Sequence, residues 1–414
     1  MPVTQIEVPR ARRQARLAVA VAFFVSGAGF ANWAARIPAV KDQLGLSTGA
    51  LGIALLGLAA GALAAMPLSG LLLVRYSSRT VTRASLGLFC TVLALPALAP
   101  SLPLLVAALV TLGIGGGALD VSMNAQAVAV ERGYGRPLLA GFHGLWSLGT
   151  LAGALTGGLA AGAGLAPRAH LALAGALLLV VGLPATRRLL PAGDDLAPSA
   201  PAALPAPAAP APAPAPDPGP APTPRAAPFG FPGPLHLLVL LGAIAFCGLL
   251  SEGAVYDWSA VYLRDSLGSS EGLAVSAYAA FTFAMTAGRL VGDRLRLRFG
   301  SRGLLGAAAL VAAGGLGAGL ALRDVPAAVA GFGLLGAGLS CVVPIVFSAA
   351  GGTSGLRPGP AIAAVSTVGY LGFIAGPPLI GALAELSTLP AALTLVVALT
   401  AAVALMARRL PALD

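Results

Sequence analysis

Charge is the first thing this sequence lacks. Only 10% of its 414 residues are charged, 57% are hydrophobic, and the mean hydropathy is +0.89. Soluble domains carry about a quarter charged residues, because charged side chains keep a large surface wet. Cysteine is scarce as well. Cys90, Cys247 and Cys341 all fall inside apolar runs, so neither a disulfide framework nor metal-ligand spacing is present and they read as small packing residues. No His/Cys/Asp cluster has metal spacing, no Ser-His-Asp arrangement can be argued, and no Walker loop cradles phosphate. These absences argue against an enzyme, a cofactor, a metal centre and ATP-driven pumping.

Long apolar runs take the place of what is missing. They lie near 16–37, 47–74, 81–99, 102–129, 138–163 and 169–187, then near 235–262, 271–292, 302–322, 326–350, 358–383 and 388–407. Each is long enough to cross a hydrocarbon core of ~30 Å. Lipid offers no hydrogen-bond partner, so such runs are helices, and they are too long and too continuously apolar for the alternating strands of a barrel. The basic N-terminal stretch resembles a signal peptide, but its apolar run continues through Asn32-Trp33 without a small-residue cleavage site, and it reads as a retained first span. The expected fold is an all-α polytopic membrane protein.

The net charge of +10 and pI near 10.5 follow from topology and do not indicate nucleic acid. With the N-terminus inside, nineteen arginines lie in cytoplasmic segments, among them Arg10, Arg75, Arg79, Arg83, Arg298, Arg302 and Arg408. Five basic residues lie outside (Arg36, Lys41, Arg168, Arg264 and Arg323), and Arg289 lies within a span. That asymmetry places both termini in the cytoplasm of a plasma (inner) membrane protein. Residues 189–234 hold 16 of the 34 prolines and form a Pro/Ala-rich cytoplasmic linker. The linker separates a six-helix unit over 1–188 from another over 235–414.

The two units are related in sequence. Lys41-Asp42-Gln43-Leu44-Gly45 recurs as Arg264-Asp265-Ser266-Leu267-Gly268, and Arg75-Tyr76-Ser77-Ser78-Arg79 as Arg298-Phe299-Gly300-Ser301-Arg302, both at an offset of 223. Gly113 and Gly115 match Gly336 and Gly338 at the same offset, and Asn32-Trp33 answers Asp257-Trp258 shifted by two. Six spans return the chain to its starting side, so the repeats are parallel, one known way to build a transporter.

Six spans, a cytoplasmic linker and six spans resemble the major facilitator superfamily over essentially the whole length. The family's basic signature, G-x-L-x-D-R-x-G-R-[RK], is matched by Gly70 to Arg79, with Val74 at the aspartate and Ser77 at the second glycine; a second copy keeps Arg298, Gly300 and Arg302. The runs around Asn124 and Gly141 to Trp146 are loosely similar to the sugar-permease side of a bacterial branch. The resemblance implies a secondary carrier of a small polar solute, working by alternating access as a monomer in the bilayer and driven by protons. Within the same fold the alternatives are a proton-coupled drug or metabolite exporter, or a receptor or scaffold that does not transport. It also implies that Arg75, Arg79, Arg298, Arg289 and Asp293 gate the inner side, the last two as a latch four residues apart.

Ionisable groups at bilayer depth are functional candidates, since each costs several kcal/mol unless it faces protein or water. Asp120 and Asn124 share a helix face with Gly113 and Gly117 and map onto Val343 and Phe347, so their polarity belongs to one half. Two readings stand for them: the polar end of a substrate face, or a buried carboxylate hydrogen-bonded beside a helix contact. Glu252, with Gly27 as its first-half counterpart, reads as a proton-exchanging carboxylate or as a neutral core acid. Asn32 and Arg36, with Asp257 in the corresponding place, form an outer polar pathway or closing ion pair, or else an interface anchor with Trp33 and Trp258 at the headgroups. His143 shares a face with Trp146 and Ser147 and relays protons, binds a hydroxyl, or is a satisfied core histidine. His170 and His236 sit near span ends and carry no signal. The topology predicts that a cysteine placed in 189–234 resists an impermeant thiol reagent in intact cells; labelling without lysis would overturn both the topology and the parallel repeat.

Overall fold

A segment surrounded by lipid has to satisfy its own backbone amides, and the described residues are helical nearly throughout. The computed structural model describes residues 9–134, 138–192, 234–351 and 358–411; most of the proline-rich segment lies outside them. The spans in chain order are α1 (Arg10–Ala34), α2 (Thr48–Arg75), α3 (Ser78–Val92), α4 (Leu102–Tyr134), α5 (Leu139–Gly162), α6 (Pro167–Ala185) and α7 (Pro234–Val261). Ser276–Leu322 breaks at Gly300, φ 69°, into α8 (276–299) and α9 (301–322). α10 is Val325–Leu339 continued by Val342–Gly351, followed by α11 (Pro358–Leu386) and α12 (Leu389–Ala407). Among the described residues, eleven spans are long and apolar enough to cross a membrane by length and composition, and α5, of 24 residues, is the twelfth.

Local chemistry explains the ends. Ser47, Ser77 and Thr388 cap α2, α3 and α12 by accepting from the amides of Ala50, Thr80 and Ala391, each satisfying an otherwise orphaned donor. α8 begins later than expected because Glu271–Ala274 forms its own turn, capped by Ser270. α10 is not continuous. Pro344 has no amide hydrogen and its ring opposes the carbonyl of Ser340, so the helix opens at Ser340-Cys341.

The repeat persists as a register of contacts. Gly113 of α4 lies against the carbonyl of Leu58, and Gly336 of α10 against that of Phe281; Gly115 faces Phe89, and Gly338 faces Ala312. Every partner is 223 residues from its counterpart. Gly149 of α5 meets the carbonyl of Phe24, as Gly372 of α11 meets that of Phe246. This last pair runs at 222 along α1 and α7, so Glu252 stands opposite Phe30 rather than Gly27. The carboxylate is one-sided in either register. The connections repeat too: Gly45 and Gly268 turn the chain with φ of 59° and 64°.

The halves meet where α2 packs on α11, with Gly52 against Pro377 and Gly381, and where α5 meets the turn just before α8, with Gly158 and Gly162 against Gly272. The outer faces are apolar, with Val74, Leu297 and Leu386 more than 80% exposed, as lipid contact requires. Gly113→Val and Gly336→Val should each overpack a helix crossing by about 1–3 kcal/mol and lower the melting temperature by several degrees. Gly314→Val, at a position with open space, should leave it unchanged.

Candidate functional site

Two polar regions interrupt the apolar body. One lies at the end of the bundle opposite the described chain ends. The Arg36 side chain, with no exposed surface, donates from Nε to His170 Nδ1 at 2.9 Å and from Nη2 to the carbonyl of Leu165 at 2.6 Å, and Nη1 pairs with Glu271 Oε2 at 3.3 Å. Arginine can only donate, so His170 Nδ1 accepts and its Nε2–H donates to Asn32 Oδ1 at 2.9 Å. Asn32 in turn donates to the carbonyl of Ala28 and accepts from Thr156. Without these partners a guanidinium could not be held so deep.

Around this core the repeat generates a reciprocal pair. Lys41 binds Asp265 at 2.5 Å, and its repeat mate Arg264 approaches Asp42, the mate of Asp265, at 3.8 Å. Glu385 at the end of α11 accepts from the Gly49 amide at 2.8 Å, a carboxylate on the positive end of α2. All three ion pairs found among the described residues join one half to the other at this end.

The second region lies at the middle of the spans. Glu252 and Tyr256 of α7 sit beside Tyr278 of α8, with ring centroids of the two tyrosines 5.1 Å apart. Trp146 of α5 and Phe373 of α11 complete an aromatic wall at 6.4 and 6.1 Å from Tyr256. Arg289 of α8 is close enough to act on the charge of both Glu252 and His143, while Tyr370 of α11 lies within reach of Asp120 and Glu252. Asn124 Nδ2 donates to the Asp120 carbonyl at 2.9 Å and to its carboxylate at 3.2 Å. Groups from both halves therefore converge: Asp120, Asn124, His143 and Trp146 from the first, and Glu252, Tyr256 and Arg289 from the second.

Comparison with known proteins gives the family. The sequence model of the Major Facilitator Superfamily matches residues 19–350. An uncharacterized MFS-type transporter of Yersinia pestis is 35% identical over 395 residues, covering 94% of each chain. The chain belongs to the major facilitator superfamily. Membrane protein MosC of Rhizobium meliloti is 32% identical over 92% of this chain and 86% of its own. Among solved structures, a bacterial homolog of the human lysosomal transporter Spinster aligns over 97% of this chain and 98% of its own, with TM-score 0.69 at 16% identity. The nucleoside transporter NupG has the same coverage, with TM-score 0.67 at 12% identity. These structures share the fold.

Against the major facilitator fold the candidate residues separate into three groups. Asp120, Asn124, Glu252 and His143 gather with Arg289 at the middle. His143 rests edge-on against Phe23 at 5.2 Å, and its carbonyl accepts from Ser147. Asn32 and Arg36 form the closed end, but the acid that Arg36 meets across the halves is Glu271 and not Asp257. Asp257 is buried on α7, near Tyr278. The interface-anchor reading is corrected: Trp33, Trp258 and Arg36 are at most 2% exposed, and both indole nitrogens lack a hydrogen-bond partner among the described residues. His170, which carried no signal in sequence, is the hub of the network.

Toward the other end, Arg79 caps α6 through the carbonyl of Arg187 at 2.6 Å, Arg298 lies over Phe299, and Arg75 is exposed. The side chain of Asp293 lies outside the described residues, and with it the Arg289–Asp293 latch. The oppositely charged Lys41-Asp42 and Arg264-Asp265 were visible as a repeat, and their reciprocal pairing is its consequence. Nothing local marks His170, Glu271 or Glu385, whose partners are at least 134 residues away. Lys41→Glu should favour the state open at this end by about 0.2–1 kcal/mol, roughly 1.4- to fivefold, read as faster thiol labelling of Gly158→Cys. Adding Asp265→Lys should restore the parent rate.

Proposed function

We propose that this transporter is a secondary carrier of the plasma (inner) membrane, moving a small polar solute by alternating access and coupled to protons. The observation that carries this reading is the pairing of a polar cluster drawn from both halves with an ionic closure at only one end of the described pathway. The excess of arginine at the opposite end supports both termini in the cytoplasm, so the closed end faces outward and the described state faces inward.

The chemistry follows from burial. A carboxyl group between packed helices keeps a charge only while a cation or water faces it. When Glu252 is ionised, Arg289 is its counter-charge; when it takes a proton, Arg289 is released toward His143 or the solute. The charge on Glu252 is thereby tied to the state of the transporter, which coupling requires. Asp120 with Asn124 presents a preformed acceptor and donor from the first half, and the wall of Trp146, Tyr256 and Phe373 suits the apolar face of a ring-shaped polar solute such as a sugar. Each chain contains both halves of the pathway, which supports a monomer as the working unit. The same parts serve export when the solute gradient is reversed.

Glu252→Gln and Asp120→Asn remove titration while keeping shape and hydrogen bonding. In proteoliposomes at least one of them, Glu252→Gln first, should lose pH-driven accumulation while retaining counterflow exchange. Accumulation by both variants equal to the parent would remove these carboxylates from the coupling path.

A further inference from the structure

The network at the closed end is built around one imidazole, and its hydrogen bonds determine what a proton on it would do. His170 is 5% exposed, Asn32 4% and Arg36 0%. The imidazole is fully committed, with Nδ1 accepting from Arg36 and Nε2 donating to Asn32, both at 2.9 Å. An incoming proton has only Nδ1 to bind. Once there it turns an acceptor into a donor facing a donor and sets an imidazolium against a buried guanidinium.

We propose that His170 is a proton-binding site of the transport cycle, loaded from the outer side, and that its protonation releases the closure between the halves. Arg36 would lose its Nε acceptor and be repelled from the pocket in which it holds Glu271 of the other half. The sealed state therefore requires the neutral ring. A state opened to outer water accepts the proton in the ordinary imidazole range, at about pH 6.5. Protons bind the open state in preference, so lowering external pH shifts the population toward it.

The other groups around the ring do not supply this response. Asn32, Thr156 and the Leu165 carbonyl do not titrate, Arg36 keeps its charge, and Arg168 on the same helix is exposed. Of the outer carboxylates, Asp265 pairs with Lys41, Asp42 with Arg264 and Glu271 with Arg36 itself, while Glu385 accepts from the Gly49 amide. The proposal takes from the proposed function only the direction of the membrane, and needs neither a solute nor Glu252.

The test is double electron–electron resonance between spin labels at Gln43→Cys and Ser387→Cys, both exposed positions, in proteoliposomes of a Glu252→Gln/Asp120→Asn protein. Lowering external pH from about 8 to about 5.5, across the imidazole range, should raise the population with separated outer ends several-fold. His170→Gln keeps one acceptor and one donor but cannot titrate, and should abolish the rise. Glu271→Gln weakens the closure and leaves His170 in place, so the rise should persist with its midpoint moved toward neutral pH; this arm decides even if His170→Gln does not fold. An unchanged rise in His170→Gln, loss of the rise in Glu271→Gln, or no response in the parent would each overturn the proposal. A response to internal pH alone that His170→Gln abolishes would support the role of His170 and overturn the membrane orientation in the proposed function.

Discussion

Opposite charges facing each other across two halves of one chain close this protein at one end, and the rest of the pathway depends on that closure. The arrangement follows from duplication. A cation next to an acid in each repeat, brought face to face, sets each cation against the other copy's acid, as in a symmetric dimer interface. Lys41 with Asp265 and Arg264 with Asp42 form such a pair. Partly exposed pairs of this kind are worth about 0–1 kcal/mol each, which suits a contact that must break in every cycle. Arg36 differs: its side chain has no exposed surface, so its partners govern whether it can stay.

Duplication supplies the scaffold but not the lining. The glycine contacts of α4 with α2 and of α10 with α8 repeat residue for residue, because two parallel helices can approach so closely only where side chains are absent. The middle of the pathway breaks the symmetry. Asp120 and Asn124 have Val343 and Phe347 as counterparts, Pro344 opens α10 where α4 stays continuous, and Glu252 stands opposite Phe30. The repeat supplies the two bodies, while the one-sided polar groups carry the specificity and coupling that we propose.

The spans, the parallel repeat and the mid-membrane candidates were legible in the sequence because lipid imposes them: a long apolar run must be helical, and a carboxylate within it is conspicuous. Glu252, Asp120 and His143 were found in this way, and the structure brings them together with Arg289. The closed end was only half legible. Arg36 near a helix end reads as a snorkelling anchor until Leu165, His170 and Glu271 are placed around it, and those partners lie 129, 134 and 235 residues away. Tryptophans at span ends read as headgroup anchors for the same reason, although Trp33 and Trp258 are buried. Periodicity reports what faces lipid and does not report which helix ends meet.

The central claim is that the closed ends of the halves must separate for solute to cross. A disulfide across the closure tests it most directly. Gly49 and Glu385 face each other there, and the native cysteines are buried, so Gly49→Cys/Glu385→Cys can be oxidised and reduced at will. Oxidation should abolish counterflow and reduction should restore it, with solute binding from the side opposite the closure retained throughout. Undiminished counterflow through the fully oxidised protein would contradict the account.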